Sequence, residues 1–364
     1  MTSEKAFVTA VVVTYNRKQL LAECLQALLQ QTRRPDRILV INNASTDGTE
    51  ALFAPGGAFA QPDQEQTASA GVFARPAIEL VNLPVNVGGA GGFCEGIRRA
   101  AGAVSGDVRE TTGPDRFGES DDKTETEPFA SVKTGPVSVS APEIPDDAVW
   151  IMDDDTIPEP GALEGLLKAW SRLDAEGAVV SFLASTVFGP GGEPMNVPVL
   201  DNRKTDNGYA DWYRWLSLGC VAIKEATFVS LLLSGEAVRK VGLPIAGYFI
   251  WGDDTEYTRR LVSDFGPAYL CGGSRVMHKR FNVRKISVWQ ENDARRVNMY
   301  FFYFRNALYN AAEYEGKART ALRWLGYMAM SFTAFFRRGQ KHRLKKFCVI
   351  QKGCWAFLFQ KTPH

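Results

Sequence analysis

Histidine is scarce in this chain, with three among 364 residues. Cysteine is sparse: six residues, at positions 24, 94, 220, 271, 348 and 354. Only the last two lie close together, and no histidine pattern flanks them, which excludes a zinc motif and a disulfide-stapled miniprotein. Free or buried thiols of a reducing compartment are the expectation. No apolar run reaches the ~18 residues that a spanning helix needs. The opening residues lack the apolar region and cleavage site of a signal peptide, so a cytoplasmic chain is expected. Acidic residues are missing from one region altogether. From Gly316 to His364 there are eleven Lys or Arg and no Asp or Glu.

What is present is otherwise ordinary. Charged residues make up 23% and hydrophobic residues 45%, which excludes a wholly disordered or collagen-like chain. The net charge of +1 hides a polarity, because the first 315 residues carry 31 basic and 41 acidic groups. A basic tail on an acidic body is expected to meet an anionic partner. The length allows two domains, or one large domain with an appendage. The pattern predicts a body over 1–315 and a helical tail over 316–364.

Apolar runs alternate with amphipathic ones. Phe7 to Tyr15 is rich in β-branched residues and predicts a buried parallel strand. Asn16 is a candidate cap for a helix over Leu20 to Gln30, with Leu20, Leu21, Cys24, Leu25, Leu28 and Leu29 on one stripe. Arg37 to Ile41 predicts a strand. Asn42 to Gly48 is a turn-former cluster in which Thr46 or Asp47 caps another helix. Ile78 to Leu83 is a third strand, and Asn86 to Phe93 opens a helix running through Ala100. Ala148 to Met152 is a strand, Ala162 to Arg172 a helix, and Val179–Phe188, Leu218–Ile223 and Val276–His278 further strands. The alternation predicts an α/β fold with a mainly parallel central sheet flanked by helices. Two loop insertions are expected, at 54–76 and 104–147. The segment Val104–Asp147 holds 11 acidic and 4 basic residues and is read as solvated. The tail predicts two amphipathic helices about Arg337-Arg338-Gly339.

Three places carry chemistry. Asp153-Asp154-Asp155 end an apolar strand, where three carboxylates repel one another unless a cation sits among them. Alternate residues share a face, so Asp153 and Asp155 suit a divalent cation such as Mn²⁺ or Mg²⁺. Gly88-Gly89-x-Gly91-Gly92 at a helix start can cradle a phosphate, although it is not the dinucleotide-binding register and follows the third strand. Asp253-Asp254-x-Glu256 opens a helix whose N-terminal dipole favours carboxylates, one of which can act as a general base. His278, at a strand end, is a packing residue unless something sets it beside a metal. Trp212, Trp215, Tyr248 and Trp251 are candidates for stacking on a ligand.

These pieces occur in a recognisable order. Val11-Val12-Val13-Thr14-Tyr15-Asn16-Arg17, Val40 to Thr49, Trp150 to Asp155 and Tyr248 to Tyr257 together resemble the inverting family 2 glycosyltransferases of GT-A fold. Asn86 to Phe93 followed by the triple Asp is similar to the galactofuranosyltransferase and rhamnosyltransferase branch. The triple Asp with a downstream His most resembles the galactofuranosyltransferases.

The resemblance implies roles. Thr14, Tyr15 and Arg17 lie against the nucleotide. Asn42 and Asn43 match a uridine-contacting turn, in which many relatives have Asp at position 42. Asn86, Gly88 and Gly89 line the sugar-diphosphate, with Asp153 and Asp154 also facing the donor. Asp153, Asp155 and His278 hold the metal, Asp254 is the catalytic base, and Asp253 joins the aromatic candidates at the acceptor. Implied too are a UDP-galactofuranose donor, with dTDP-rhamnose as the alternative, and a lipid-linked or cell-envelope glycan acceptor. The aromatic and cationic tail is expected to rest on an anionic membrane at the inner face of the plasma membrane. A nucleic-acid role for the tail leaves both acidic clusters without purpose, and none is expected.

Overall fold

The β-branched run at the start forms strand β1 (Phe7–Thr14), buried at every position after Phe7. The computed structural model describes residues 6–60, 76–102, 147–280, 287–337 and 339–360. The insertion expected at 104–147 therefore lies outside the described residues, except that Asp147 opens a strand. Of the one expected at 54–76, only 54–60 and 76 are described.

After β1 come α1 (Lys18–Leu29), β2 (Arg37–Asn42), β3 (Ala77–Asn82), α2 (Gly88–Ala100) and β4 (Asp147–Asp153). Then follow β5 (Thr156–Pro158), α3 (Ala162–Ala175), β6 (Phe182–Phe188), β7 (Val199–Leu200), β8 (Cys220–Glu225) and β9 (Leu231–Ser234). The chain ends with α4 (Gly235–Val241), α5 (Asp253–Asp264), β10 (Ala268–His278), α6 (Ala294–Tyr314), α7 (Lys317–Phe336) and α8 (Arg343–Phe359).

The strands form one sheet in the order β3-β2-β1-β4-β9-β6-β10-β8-β7, with β5 on β10. The expected α/β architecture, a central sheet flanked by helices, is present. Its parallel part is β3-β2-β1-β4, and β6 with β10. The remaining pairings are antiparallel: β9 enters between β4 and β6 against both, and β5 and β8 run against β10, with β7 against β8. Leu231-Leu232-Leu233 is buried on both faces, so it lacks the alternation that announces a strand.

Side-chain alternation divides the core in two. Val8, Ala10, Val12, Trp150 and Met152 pack under α1 and α3. Val11, Val13, Val149 and Ile151 pack under α2 and α5. Each such Val or Ile contributes about 1.5–3 kcal/mol of burial. Asp153 continues the second set, toward α2 and α5.

The first turns differ from expectation in one respect. Asn16 does not cap α1. It takes a left-handed backbone (φ 53°) and its Oδ1 accepts from Thr46 N at 2.6 Å. Asp47 caps instead, accepting from Lys18 N at 2.8 Å and from Thr49 N at 3.1 Å. One carboxylate thus ties the start of α1 to the turn after β2, and keeps both on the sheet end where the strand-end carboxylates lie.

A third core joins α6, α7 and α8 around Tyr300, Phe304, Leu308, Ala334, Ile350 and Cys354. Gly353 allows the close approach of α8, since a Cβ there would lie 2.9 Å from Phe301 O.

Candidate active site

β1 and β4 are parallel neighbours, with Val13 opposite Asp153. Their ends bring Thr14 and Arg17 to the triple Asp. Thr14 Oγ1 donates to Asp154 Oδ2 at 2.7 Å. One Arg17 guanidinium nitrogen bridges Asp154 Oδ1 at 3.1 Å and Asp155 Oδ2 at 2.6 Å. β10 ends beside them, and His278 Nε2 lies 3.0 Å from Asp155 Oδ1. Asp153, Asp155 and His278 can each offer one ligand atom, all within 4.8 Å of one another.

The electrostatics fit a cation. Burial pushes the Asp153 carboxyl up to about 8, and the charge of Asp155 adds to that. Burial lifts Asp154 to about 6 against the pull of Arg17. Burial also opposes ionisation of Asp155, but His278 and Arg17 outweigh it and hold that carboxyl below its usual range. A divalent ion would remove the repulsion that raises Asp153. The donor set, two carboxylate oxygens and one imidazole nitrogen, suits a divalent cation. The second ring nitrogen, Nδ1, meets Asn196 Oδ1 at 2.8 Å. With that amide orientation Nδ1 carries the proton, which leaves Nε2 as the nitrogen that would join Asp155 in holding a metal. Asn196, also in a left-handed backbone (φ 46°), stands in a loop with no motif around it, so the sequence offers no signal for it.

A second group surrounds the start of α2. Asn43 Nδ2 donates to Gly88 O at 2.9 Å and its Oδ1 accepts from Val87 N at 2.8 Å. Asn42 Nδ2 donates to Asn82 Oδ1 at 2.8 Å, and Asn42 Oδ1 accepts from Ser45 N at 3.0 Å. Both asparagines are buried. Their amides are spent on the Asn82 side chain and on the backbone of Ser45, Val87 and Gly88, so they shape the turn rather than present themselves to a base. Asn86 Oδ1 accepts from Gly88 N at 2.8 Å. Tyr15 is exposed.

The glycines divide by task. Gly88 has φ 75°, and a Cβ there would sit 2.0 Å from Phe249 O. Gly92 lies against Val13, and its Cβ would come 2.5 Å from Cγ1. Gly89 faces open space, with nothing within 4 Å of a built Cβ. Gly88→Ala should therefore cost about 2–4 kcal/mol, through strain and displacement of the Phe249 loop. Gly89→Ala should leave the melting temperature unchanged and weaken only the binding of a diphosphate. Thermal melts beside donor titrations separate the two.

The loop before α5 is held from α6. Phe249 (φ 64°) and Trp251 (φ 61°) are strained, and Gly252 has φ 91°. Asn306 Nδ2 is shared among Tyr248 O (2.9 Å), Ile250 O (3.2 Å) and Trp251 O (2.7 Å). Asn310 Nδ2 donates to Gly252 O at 2.9 Å, and Arg305 Nη2 to Gly247 O at 2.7 Å. The loop's other side carries Phe249 O, which accepts from Ala90 N at 3.1 Å. The start of α5 is thus pinned between α6 and the glycine-rich start of α2. An Arg-Asn pair inside an aromatic helix was the available signal for this clasp.

At the head of α5, burial and the charge of Asp254 push Asp253 up to about 8. Asp254 is raised too, by burial, but backbone N–H groups at the helix start, including Thr255 N at 2.7 Å, hold it down. Those backbone donors favour the ionised form of Asp254.

The aromatic candidates do not gather here. Tyr248 is buried and its hydroxyl donates to Asn310 Oδ1 at 2.9 Å, so it has no face for a sugar. Trp251 packs on Tyr300 and Tyr303. Trp215 packs against the α1–α3 core, the face of the sheet opposite α5. With Trp212 and Tyr269 it lines a cavity of about 350 Å³ at the start of β10, whereas His278 ends that strand.

Comparison with known proteins adds a finding for the N-terminal part. Residues 9–105 match the family model described as Glycosyl transferase family 2. The match spans β1 to α2, with Thr14, Arg17, Asn43 and Gly88 inside it. Asp153, Asp155, Asp254 and His278 lie beyond it, and geometry brings Asp153, Asp155 and His278 together. No curated protein matches the chain. Among solved structures, GalNAc-T7 with UDP, GalNAc and Mn²⁺ is similar at 12% identity and TM-score 0.46, over 85% of this chain and 51% of that one. TarS of S. aureus is similar at 12% identity and TM-score 0.46, over 91% and 44%. The mannosyltransferase PcManGT from Pyrobaculum calidifontis, in complex with GDP-Man and Mn²⁺, is similar at 16% identity and TM-score 0.45, over 98% and 88%. The chain spans about half the length of the first two.

Proposed function

We propose that this protein is a metal-dependent, inverting glycosyltransferase that uses a nucleotide-diphosphate sugar. The observation that carries the reading is the Asp153–Asp155–His278 cluster at the end of β4, beside Arg17. The family match over residues 9–105 supports it.

The parts divide the chemistry. When bound, the divalent ion supplies charge neutralisation for a leaving diphosphate. Asp153, Asp155 and His278 hold the ion. Arg17, half-exposed where it bridges Asp154 and Asp155, is placed to meet the diphosphate. Open backbone at Gly89 receives the phosphate at the start of α2. Asp254 takes the proton from the attacking hydroxyl, and attack opposite the departing diphosphate inverts the anomeric centre.

We favour galactofuranose from a UDP donor, on the resemblance of the triple Asp with His278, and a glycan or lipid-linked acceptor. Rhamnose from a dTDP donor is the second reading, because the Asn86–Phe93 motif is shared with that branch. Calorimetry tests the choice. UDP should bind in Mn²⁺ at least tenfold more tightly than in chelator, and His278→Ala should weaken the metal dependence. A preference for dTDP moves the donor to rhamnose. Absence of metal-dependent binding to either nucleotide overturns the reading.

A further inference from the structure

We infer that the outer face of the α7–α8 hairpin is a docking surface for an anionic lipid bilayer. This goes beyond the transfer reaction and does not depend on it.

α7 should hide its apolar residues against α6 and α8, and one set is indeed turned inward. Tyr327 meets Phe304 at 4.8 Å between ring centroids, and Trp324 meets Trp355 at 5.6 Å. A second set is left outside. Leu322, Leu325, Phe332 and Phe336 are spaced three, seven and four residues apart along α7, with Ala329 completing the row, so they form one stripe. Leu322 is 68% exposed and Phe336 71%. No charged residue interrupts α7 between Arg323 and Arg337. α8 extends the patch. Trp355 is 44% and Phe359 79% exposed, and the two rings stack at 5.8 Å. Phe332 packs on Phe347 of α8 at 5.5 Å, which joins the two helices' outer rows. An apolar row of this length in water marks an interaction surface.

Its charge selects the occupant. Arg323 is paired with Glu315, and Lys346 is turned inward to Trp289 O and Gln340. Arg319, Arg337, Lys341, Arg343 and Lys352 remain exposed, and among the described residues none of them pairs with a carboxylate. With no Asp or Glu after Glu315, a second copy of this face would set cation against cation. An apolar row edged by cations fits acyl chains beneath anionic headgroups. No described helix is long and apolar enough to cross a membrane, so the hairpin would lie along the surface. Arg337, Lys341 and Arg343 cluster at the hairpin turn beside Phe335 and Phe336. That end should sit among the headgroups.

Flotation of the full chain with vesicles is the test. Vesicles of phosphatidylcholine with ~30% phosphatidylglycerol should carry the protein up the gradient, and pure phosphatidylcholine should carry at least tenfold less. A Leu325→Ser, Phe332→Ser, Phe336→Ser triple variant should lose binding at least tenfold with unchanged circular dichroism. Raised salt should weaken binding without abolishing it, because the apolar part is not screened. The inference is overturned if the wild type stays at the bottom with both vesicles. It is also overturned if light scattering shows a dimer that the triple variant dissolves. Equal flotation of the wild type and a folded triple variant would move the surface elsewhere.

Discussion

Replacing Asp254 by Asn should reduce transfer by about 10²–10⁴-fold while donor affinity stays near that of the wild type. The side chain heads α5 and is not one of the three that can offer a ligand atom to the ion. Its removal takes a proton acceptor, not a metal ligand. Backbone N–H groups at the helix start, Thr255 N at 2.7 Å among them, can also donate to an amide oxygen, so the fold should tolerate the change. The same position sets a pH limit. Burial raises the Asp254 carboxyl above its ordinary value. A raised base is protonated over a wider acidic range, so kcat/KM should fall on the acid side at a higher pH than a free aspartate would give. The residual activity of Asp254→Asn should lack that limb. Steady-state kinetics over pH, beside calorimetry of the donor, check both. Full activity of the variant would remove Asp254 from the mechanism.

Asn306→Ala should have the second largest effect. One buried amide holds three carbonyls, and its loss leaves Tyr248 O, Ile250 O and Trp251 O without that donor. The expected cost is about 2–4 kcal/mol, seen as a fall of several degrees in the melting temperature. Activity should drop further than stability explains, because Phe249 and Trp251 hold strained backbone only while the clasp persists. A positioning role predicts a fall in kcat with little change in donor KM. Asn306→Gln, which keeps the amide but displaces it, should recover stability better than rate. A loss of stability with kcat intact would make Asn306 a packing residue alone.

Much of this was legible beforehand, for a physical reason. β1, β2 and β4 are continuous β-branched or apolar runs, and such runs have few alternatives to a buried parallel strand. Three adjacent carboxylates after such a run are costly enough to announce a cation. His278 was placed by its match to a family pattern, and it now stands 3.0 Å from Asp155. The aromatic residues were not legible. Tyr248 and Trp215 have the composition of sugar platforms, yet Tyr248 is buried against Ala90 and Tyr309 and Trp215 packs on the α1–α3 core, and no local pattern encodes either contact. Asn42 and Asn43 suggested contact with a base. Their amides are bound to Asn82, Ser45, Val87 and Gly88 instead, partners that come together only when β2, β3 and α2 do. The clasp on α6 was hidden for the same reason. The Arg305-Asn306 pair marks a polar spot in an aromatic helix, but nothing in the pair names the loop it holds.

α6 has two occupied faces. Asn306 and Asn310 grip the loop of Asp254, while Phe304 and Leu308 belong to the core shared with α7 and α8. The hairpin is therefore not a separable module. A chimaera that joins this catalytic body to another protein's C-terminal helices must carry α6 and its mating surface together. Related chains can exchange or diverge in the hairpin only as far as that one helix can serve both neighbours.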